Sequence, residues 1–213
     1  MRVSRTQNTY LRTWMIASLI VASVQIIPKA ASAGVPTEEI KATVDKALLV
    51  LKNPQLKTVG KAPERRAQLK QILFARFDFT EMARRSLGSN WRRRTPKEQA
   101  EFVHLFTDLL EHAYTETIES YTNEKIVYLG DKVDGNYAEV RSKIITSQGQ
   151  EFAIDYRTHL VGHEWRVYDV IIENVSMVNN FRSQFNRVIS HDSYNELVRR
   201  LKEKQSDVSS SKN

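Results

Sequence analysis

Two changes of hydrophobic period constrain this chain more than any other feature of its sequence. From Pro36 to Tyr121 apolar residues recur at helical spacing, from Lys125 to Ile172 they alternate, and after Asn174 the helical period returns. The order helices, strands, helices predicts an α+β domain, with helices packed on one face of a curved antiparallel four-stranded sheet.

Local signals divide the helical part. Pro36-Thr37-Glu38-Glu39 reads as a helix start capped by Thr37, with Ile40, Val44, Ala47, Leu48 and Leu51 inward and Asn53-Pro54 as the stop. A second helix is expected from Pro63 to about Phe77, with Leu69, Ile72 and Leu73 inward. A short third one runs from about Thr80 to Gly88, a residue suited to a left-handed exit. Thr95-Pro96-Lys97-Glu98 combines a capping box with proline in the first helical position, so the longest helix is expected from there to about Tyr121. Its broad apolar side carries Phe102, Leu105, Phe106, Leu109, Leu110 and Ala113.

In the alternating part, Ala138, Val140 and Ile144 are interleaved with Glu139, Arg141 and Lys143, and Phe152, Ile154 and Tyr156 with Asp155 and Arg157. Asp134-Gly135, Gln148-Gly149 and Gly162-His163 supply the turns of a meander. The run Trp165–Ile172 is apolar at both parities, as a strand covered on both faces would be. Val178, Phe181, Phe185 and Ile189, then Tyr194, Leu197, Val198 and Leu201, return to helical spacing, and the Ser-rich tail 205–213 is expected to be disordered.

The N-terminus has a different character. Arg2, Arg5 and Arg12, an apolar stretch from Trp14 to Ile27, and Ala31-Ser32-Ala33 form the pattern of a secretory signal, so residues 1–33 are expected to be removed and the folded domain to span 34–204. The stretch is shorter than the roughly 20 residues a spanning helix needs, so the mature protein is expected to be soluble and periplasmic. The chain has 32 Lys and Arg against 25 Asp and Glu, and removing the signal's four basic residues leaves 28 against 25. That small excess argues against a nucleic-acid partner. With no cysteine, disulfides, thiolate metal sites and cysteine nucleophiles are excluded.

Few residues suggest catalysis. His104, Asp108 and His112 lie at i, i+4 and i+8, but on the polar side of the longest helix, where a solvated face explains them and no metal is expected. No G-x-S-x-G elbow is present, and no catalytic set is assigned. Arg84, Arg85, Arg92, Arg93 and Arg94 cluster around Trp91, either as a solvated surface or as a docking face for anionic lipid headgroups or an acidic partner. The strongest constellation is apolar. It comprises Phe77, Phe79, Met82, Leu87 and Trp91, then Phe102, Phe106, Leu109, Leu110, Tyr114, Ile118 and Tyr121, then Phe152, Ile154 and Tyr156, and finally Met177, Val178, Phe181 and Phe185. Periodicity does not distinguish a filled core from the wall of a cavity.

Several blocks of this sequence resemble a known family. Phe77-Asp78-Phe79-x-x-Met82-Ala83-Arg84-x-x-Leu87-Gly88-x-x-Trp91, with Thr95-Pro96 and Phe102-x-x-x-Phe106-x-x-Leu109-Leu110-x-x-x-Tyr114 after it, is similar to the MlaC family of lipid-binding auxiliary components of ABC transporters. Trp165-x-Val167-Tyr168-Asp169-Val170-x-Ile172-x-x-x-Ser176-x-Val178-x-Asn180-x-Arg182-x-x-Phe185 resembles that family's last strand and following helix. The resemblance spans nearly the whole mature chain. It departs at Ser190-His191-Asp192-Ser193-Tyr194, where the family commonly carries a glycine.

The resemblance implies an NTF2-like fold and a non-enzymatic lipid carrier whose cavity is lined by the apolar constellation. Phospholipid is then cargo rather than cofactor, and an outer-membrane lipoprotein complex and an inner-membrane ABC transporter are the partners. A hopanoid cargo remains an alternative of the same kind. An NTF2-like enzyme on a small apolar substrate, using Tyr114, Tyr121 or Tyr156, and a scaffold with a filled core are alternatives of other kinds.

Overall fold

The sequence's stop and start signals fall at real boundaries in the computed structural model, which describes residues 35–58, 60–121 and 123–210. The expected signal peptide, residues 1–33, lies outside that range. Helices α1 (Val35–Lys52), α2 (Ala62–Arg76), α3 (Phe79–Leu87) and α4 (Pro96–Glu119) precede strands β1 (Lys125–Asp134), β2 (Tyr137–Ile145), β3 (Glu151–Val161), β4 (Glu164–Ile172) and β5 (Val175–Ser176). Helices α5 (Met177–His191) and α6 (Tyr194–Ser210) close the chain. No described helix is long and apolar enough to cross a membrane.

Caps explain most of these limits. The Thr95 hydroxyl accepts from the Glu98 N–H while the Glu98 carboxylate accepts from the Thr95 N–H at 2.7 Å, the reciprocal box that starts α4. Asp78 accepts from the Glu81 N–H at 2.9 Å and starts α3, and Gly88, at φ +59°, ends it. Thr37 does not cap α1, which already begins at Val35. Its N–H and hydroxyl both donate to Asp131 of β1, a long-range partner that no local pattern announces. Asn53 ends α1 as expected, but it also caps a 3-10 turn over Pro54–Lys57.

The sheet runs in the order β1-β2-β3-β4-β5, antiparallel throughout, so the expected four-stranded meander gains a two-residue fifth strand. Two bulges shape it. In β1, Leu129 is the extra residue between Tyr128 and Gly130. In β4, Tyr168 is extra between Val167 and Asp169, which reverses the alternation there. Val167 and Val170 therefore join one apolar cluster with Ile40 of α1, whereas Tyr168 joins the aromatic cluster of α3, α4, α5 and α6. That is why β4 reads as apolar at both parities.

Asp169, buried in the same strand, accepts from the Ser176 hydroxyl at 2.6 Å and from the Val178 N–H at 3.0 Å, fixing the start of α5 to the sheet. At the far end of α5 the turn needs no glycine, because Asp192 takes it at φ −117° and Tyr194 returns inward. Helix α6 continues to Ser210, through the first six residues of the segment expected to be disordered.

Candidate functional site: an uncovered apolar face and an arginine groove

The apolar constellation divides in two. Met82, Leu87, Phe102, Phe106, Leu109, Leu110, Val178, Phe181 and Phe185 form one closed cluster, with Phe102 and Phe106 at 0% exposure. Its rings interlock: Phe106 meets Phe181 edge-on at 5.4 Å between centroids, and Phe102 meets Phe185 edge-on at 5.6 Å. Phe79, Trp91 and Tyr114 lean on this cluster from outside, and Phe77 and Met177 bridge it to the next one. This half is a filled core.

The other half is built differently. Strand pairing places Ile126, Ile144 and Phe152 in one row across the sheet, and Tyr128, Ser142, Ile154 and Ile172 in the next. Val140, Tyr156 and Val170 form a third. Paired residues share a face and alternate residues return to it, so these rows form one continuous apolar surface. Ile40 and Val44 of α1 cover its middle, against Val140, Val170, Tyr128, Ile154 and Tyr156. Ile118 and Tyr121, at the C-terminal end of α4, lie over a third cluster of Ala47, Leu51 and Leu69 with Leu48, Val50 and Ile72.

Towards the open end the cover runs out. Phe152 is 40% exposed, Ile172 38% and Val175 60%, and most other large residues of this half are only half-buried. Sequence reasoning placed Ile118, Tyr121, Phe152, Ile154 and Tyr156 in the candidate site, and the structure brings them to this half. It missed Val44, Leu48, Ile72, Ile126, Tyr128 and Ile144, although their periodicity was visible, because periodicity does not say which apolar side chains are left uncovered.

Two phenols stand in this surface. Burial pushes the Tyr156 hydroxyl up to about 12, with a hydrogen bond from Ser142 offsetting part of the rise. Burial, reinforced by Tyr156 and Asp45, raises the Tyr128 hydroxyl as well, and that oxygen has no hydrogen-bond partner among the described residues. Both are neutral at pH 7, so they can donate a hydrogen bond but do not act as bases.

Helices α2 and α4 meet at the edge of the same half through long polar side chains. Glu119 accepts from Arg65 at 2.9 Å and from Arg66 at 2.9 Å, and Lys70 reaches Glu111 at 2.6 Å. Burial alone would raise the Glu119 carboxyl, but hydrogen bonds from Arg66 and Arg65 outweigh it and hold the group below the usual glutamate value.

At the N-terminal end of α4 lies a basic groove of about 810 Å³ between α3, the 3-10 turn Gly88–Arg93 and α5. Arg84, Arg85, Arg92 and Arg93 line it as the sequence cluster suggested, together with Trp91. Arg94 does not line it. Its guanidinium lies 4.3 Å over the Tyr194 ring, with Glu98 3.3 Å away. The groove's other wall, Arg182 and Asn186 of α5, is nearly a hundred residues away in sequence and was not legible there.

His104 is exposed, as a solvated face requires, and His112 is half-buried, whereas Asp108 between them is covered by α6. Gln205 of α6 donates to Asp108 at 2.5 Å, His104 lies 3.4 Å from the same carboxylate, and Lys202 pairs with Glu101. No group of three or more metal-ligating side chains gathers among the described residues.

Comparisons with known proteins bear on the family and the fold. The family model described as MlaC protein matches residues 41–203. The intermembrane phospholipid transport system binding protein MlaC of Haemophilus influenzae is 25% identical over 125 residues, covering 56% of this chain and 58% of that protein. The toluene tolerance protein ttg2D of Pseudomonas putida is 30% identical over 95 residues, 44% of each chain. The matched regions thus span less than two thirds of either relative. A phospholipid-binding protein from Ralstonia solanacearum, solved in complex with a phospholipid, superposes with a TM-score of 0.73 at 27% identity, covering 82% of this chain and 98% of that one.

Proposed function

The chain belongs to the MlaC family, and from that premise we propose that it is a periplasmic carrier that holds phospholipid acyl chains against the uncovered apolar face. It carries the lipid between an outer-membrane lipoprotein complex and an inner-membrane ABC transporter, after loss of residues 1–33. The observation that supports this reading most is the large apolar surface that the fold leaves partly bare, in a chain similar over nearly the whole length of a solved phospholipid complex.

The physical requirement is severe. A phospholipid has on the order of 30 chain methylenes, and at about 0.8 kcal/mol each their exposure to water costs more than 20 kcal/mol. A carrier must offset most of that with apolar contact. Val44, Leu48, Ile72, Ile118, Tyr121, Ile154 and Tyr156 form the wall in this reading, and the headgroup stays outside at the open end near Phe152 and Val175. The closed Phe102–Phe185 cluster is the foundation of that wall. Loading and release need no covalent step, and the neutral Tyr128 and Tyr156 hydroxyls suit hydrogen bonds to ester oxygens.

Lipid extraction and native mass spectrometry of the protein purified from the periplasmic fraction test the reading. The expected result is a mature chain beginning at Gly34 with bound phospholipid. Protein that is repeatedly free of lipid, and takes none from phospholipid vesicles, overturns it; a hopanoid in the extract instead reassigns the cargo.

A further inference from the structure

We propose that the arginine groove between α3 and α5 binds a carboxylate-rich segment of a partner protein. The site is separate from the apolar face. Between them stands the closed aromatic cluster, and Phe102 and Ile118 are about 24 Å apart along α4, so a lipid seated at the open end does not place its headgroup among these arginines.

Charge and satisfaction define the ligand. Five arginines line the groove and no acid does. Glu81, just outside, already shows how a carboxylate is held here: Arg84 donates to it through Nε at 2.6 Å, and Arg85 through Nε at 2.7 Å. Arg92 and Arg93 make no hydrogen bond or ion pair among the described residues, and their guanidinium planes are matched to carboxylates.

The groove is also held in shape. Arg182 donates through Nε to the Arg85 carbonyl at 2.8 Å, and Asn90 donates to Asn186 at 3.1 Å, tying α5 to α3 and the turn. Gly88 is required by its backbone, at φ +59°, rather than by space, since a Cβ there would meet Arg182 Nε at an ordinary 3.4 Å. A concave site of about 810 Å³ accepts several side chains at once, more than a single ion fills. A flat bilayer surface does not enter it, and this favours a protein segment over anionic lipid.

Fluorescence anisotropy with a labelled hexaglutamate peptide tests the proposal on the full mature chain. The expected result is saturable, salt-sensitive binding that Arg92→Glu with Arg93→Glu weakens about tenfold or more, while the charge-matched Lys46→Glu with Lys57→Glu weakens it less than about threefold. Both pairs are exposed, so folding is preserved in each. Phosphatidylglycerol vesicles are expected not to compete. Absence of peptide binding, equal loss in both double variants, or effective competition by the vesicles overturns the proposal.

Bound lipid is measured in the same samples and is expected to be unchanged in the Arg92/Arg93 variant. Loss of lipid in step with loss of peptide binding makes the groove part of the lipid path and also overturns the proposal. Peptide binding by a protein that never holds lipid supports the groove and sinks only the carrier reading.

Discussion

The two ends of α4 use the same kinds of side chain to opposite ends. Around Phe102 and Phe106 aromatic rings interlock until no surface remains. Around Ile118 and Tyr121, Ala47, Leu51 and Leu69 of α1 and α2 are buried, but Leu48, Val50 and Ile72 beside them stay half-buried. Close packing confers stability at the first end, and the less completely covered second end is the one proposed to hold the lipid. The contrast means that an apolar residue in this family of folds should be assigned to core or site by what surrounds it.

Substitutions at the two ends should therefore separate stability from lipid binding. The largest effect is expected from Phe106→Ala, which removes a ring from the closed cluster. Denaturant unfolding should show a loss of about 3–5 kcal/mol, with lipid per folded molecule unchanged. A loss of lipid without loss of stability would erase the contrast.

Next in size is a pair of enlargements. Leu87→Phe, at a fully buried site of the closed cluster, should cost about 1–3 kcal/mol, whereas Val44→Phe, on the half-covered side, should cost less than about 1 kcal/mol. Only the second should lower the amount of lipid recovered by extraction. Equal costs at both sites would show that the uncovered half is as tightly filled as the core.

The smallest effect is expected from Glu119→Gln, which weakens the link between α2 and α4. Stability should fall by about 1 kcal/mol, while lipid transfer to acceptor vesicles speeds up several-fold. The same link predicts a pH dependence. The folded Glu119 carboxyl titrates below its ordinary value of 4.5, so its contribution is present at neutral pH and is lost as pH falls through the lowered folded value. Transfer should accelerate in that acid window in the parent chain, and much less in the Gln variant.

Local chemistry made much of the fold legible. The capping box at Thr95, the exit at Gly88 and the turn signals between strands all act within a few residues, and each stands where expected. Long-range partners were not legible: Pro36-Thr37-Glu38-Glu39 has the local pattern of a capped helix start, yet the Thr37 hydroxyl donates to Asp131 of β1. The bulge at Tyr168 was hidden because inserting one residue leaves the composition of β4 unchanged. For the site, the sequence supplied apolar residues without saying which would stay uncovered, and it supplied four arginines of the groove without the α5 wall that completes it.

One rod spans both ends, and this has a mechanical consequence. Helix α4 is clamped from Phe102 to Leu110, leaving about 14 Å between Leu110 and Glu119 as an arm propped at its tip by Arg65 and Arg66 of α2. A tilt of about 10° at the clamp moves its tip by about 2 Å. An angle set in the aromatic cluster thus governs where the polar links from α2 must reach, and the stiffness of the closed end limits how far they are strained.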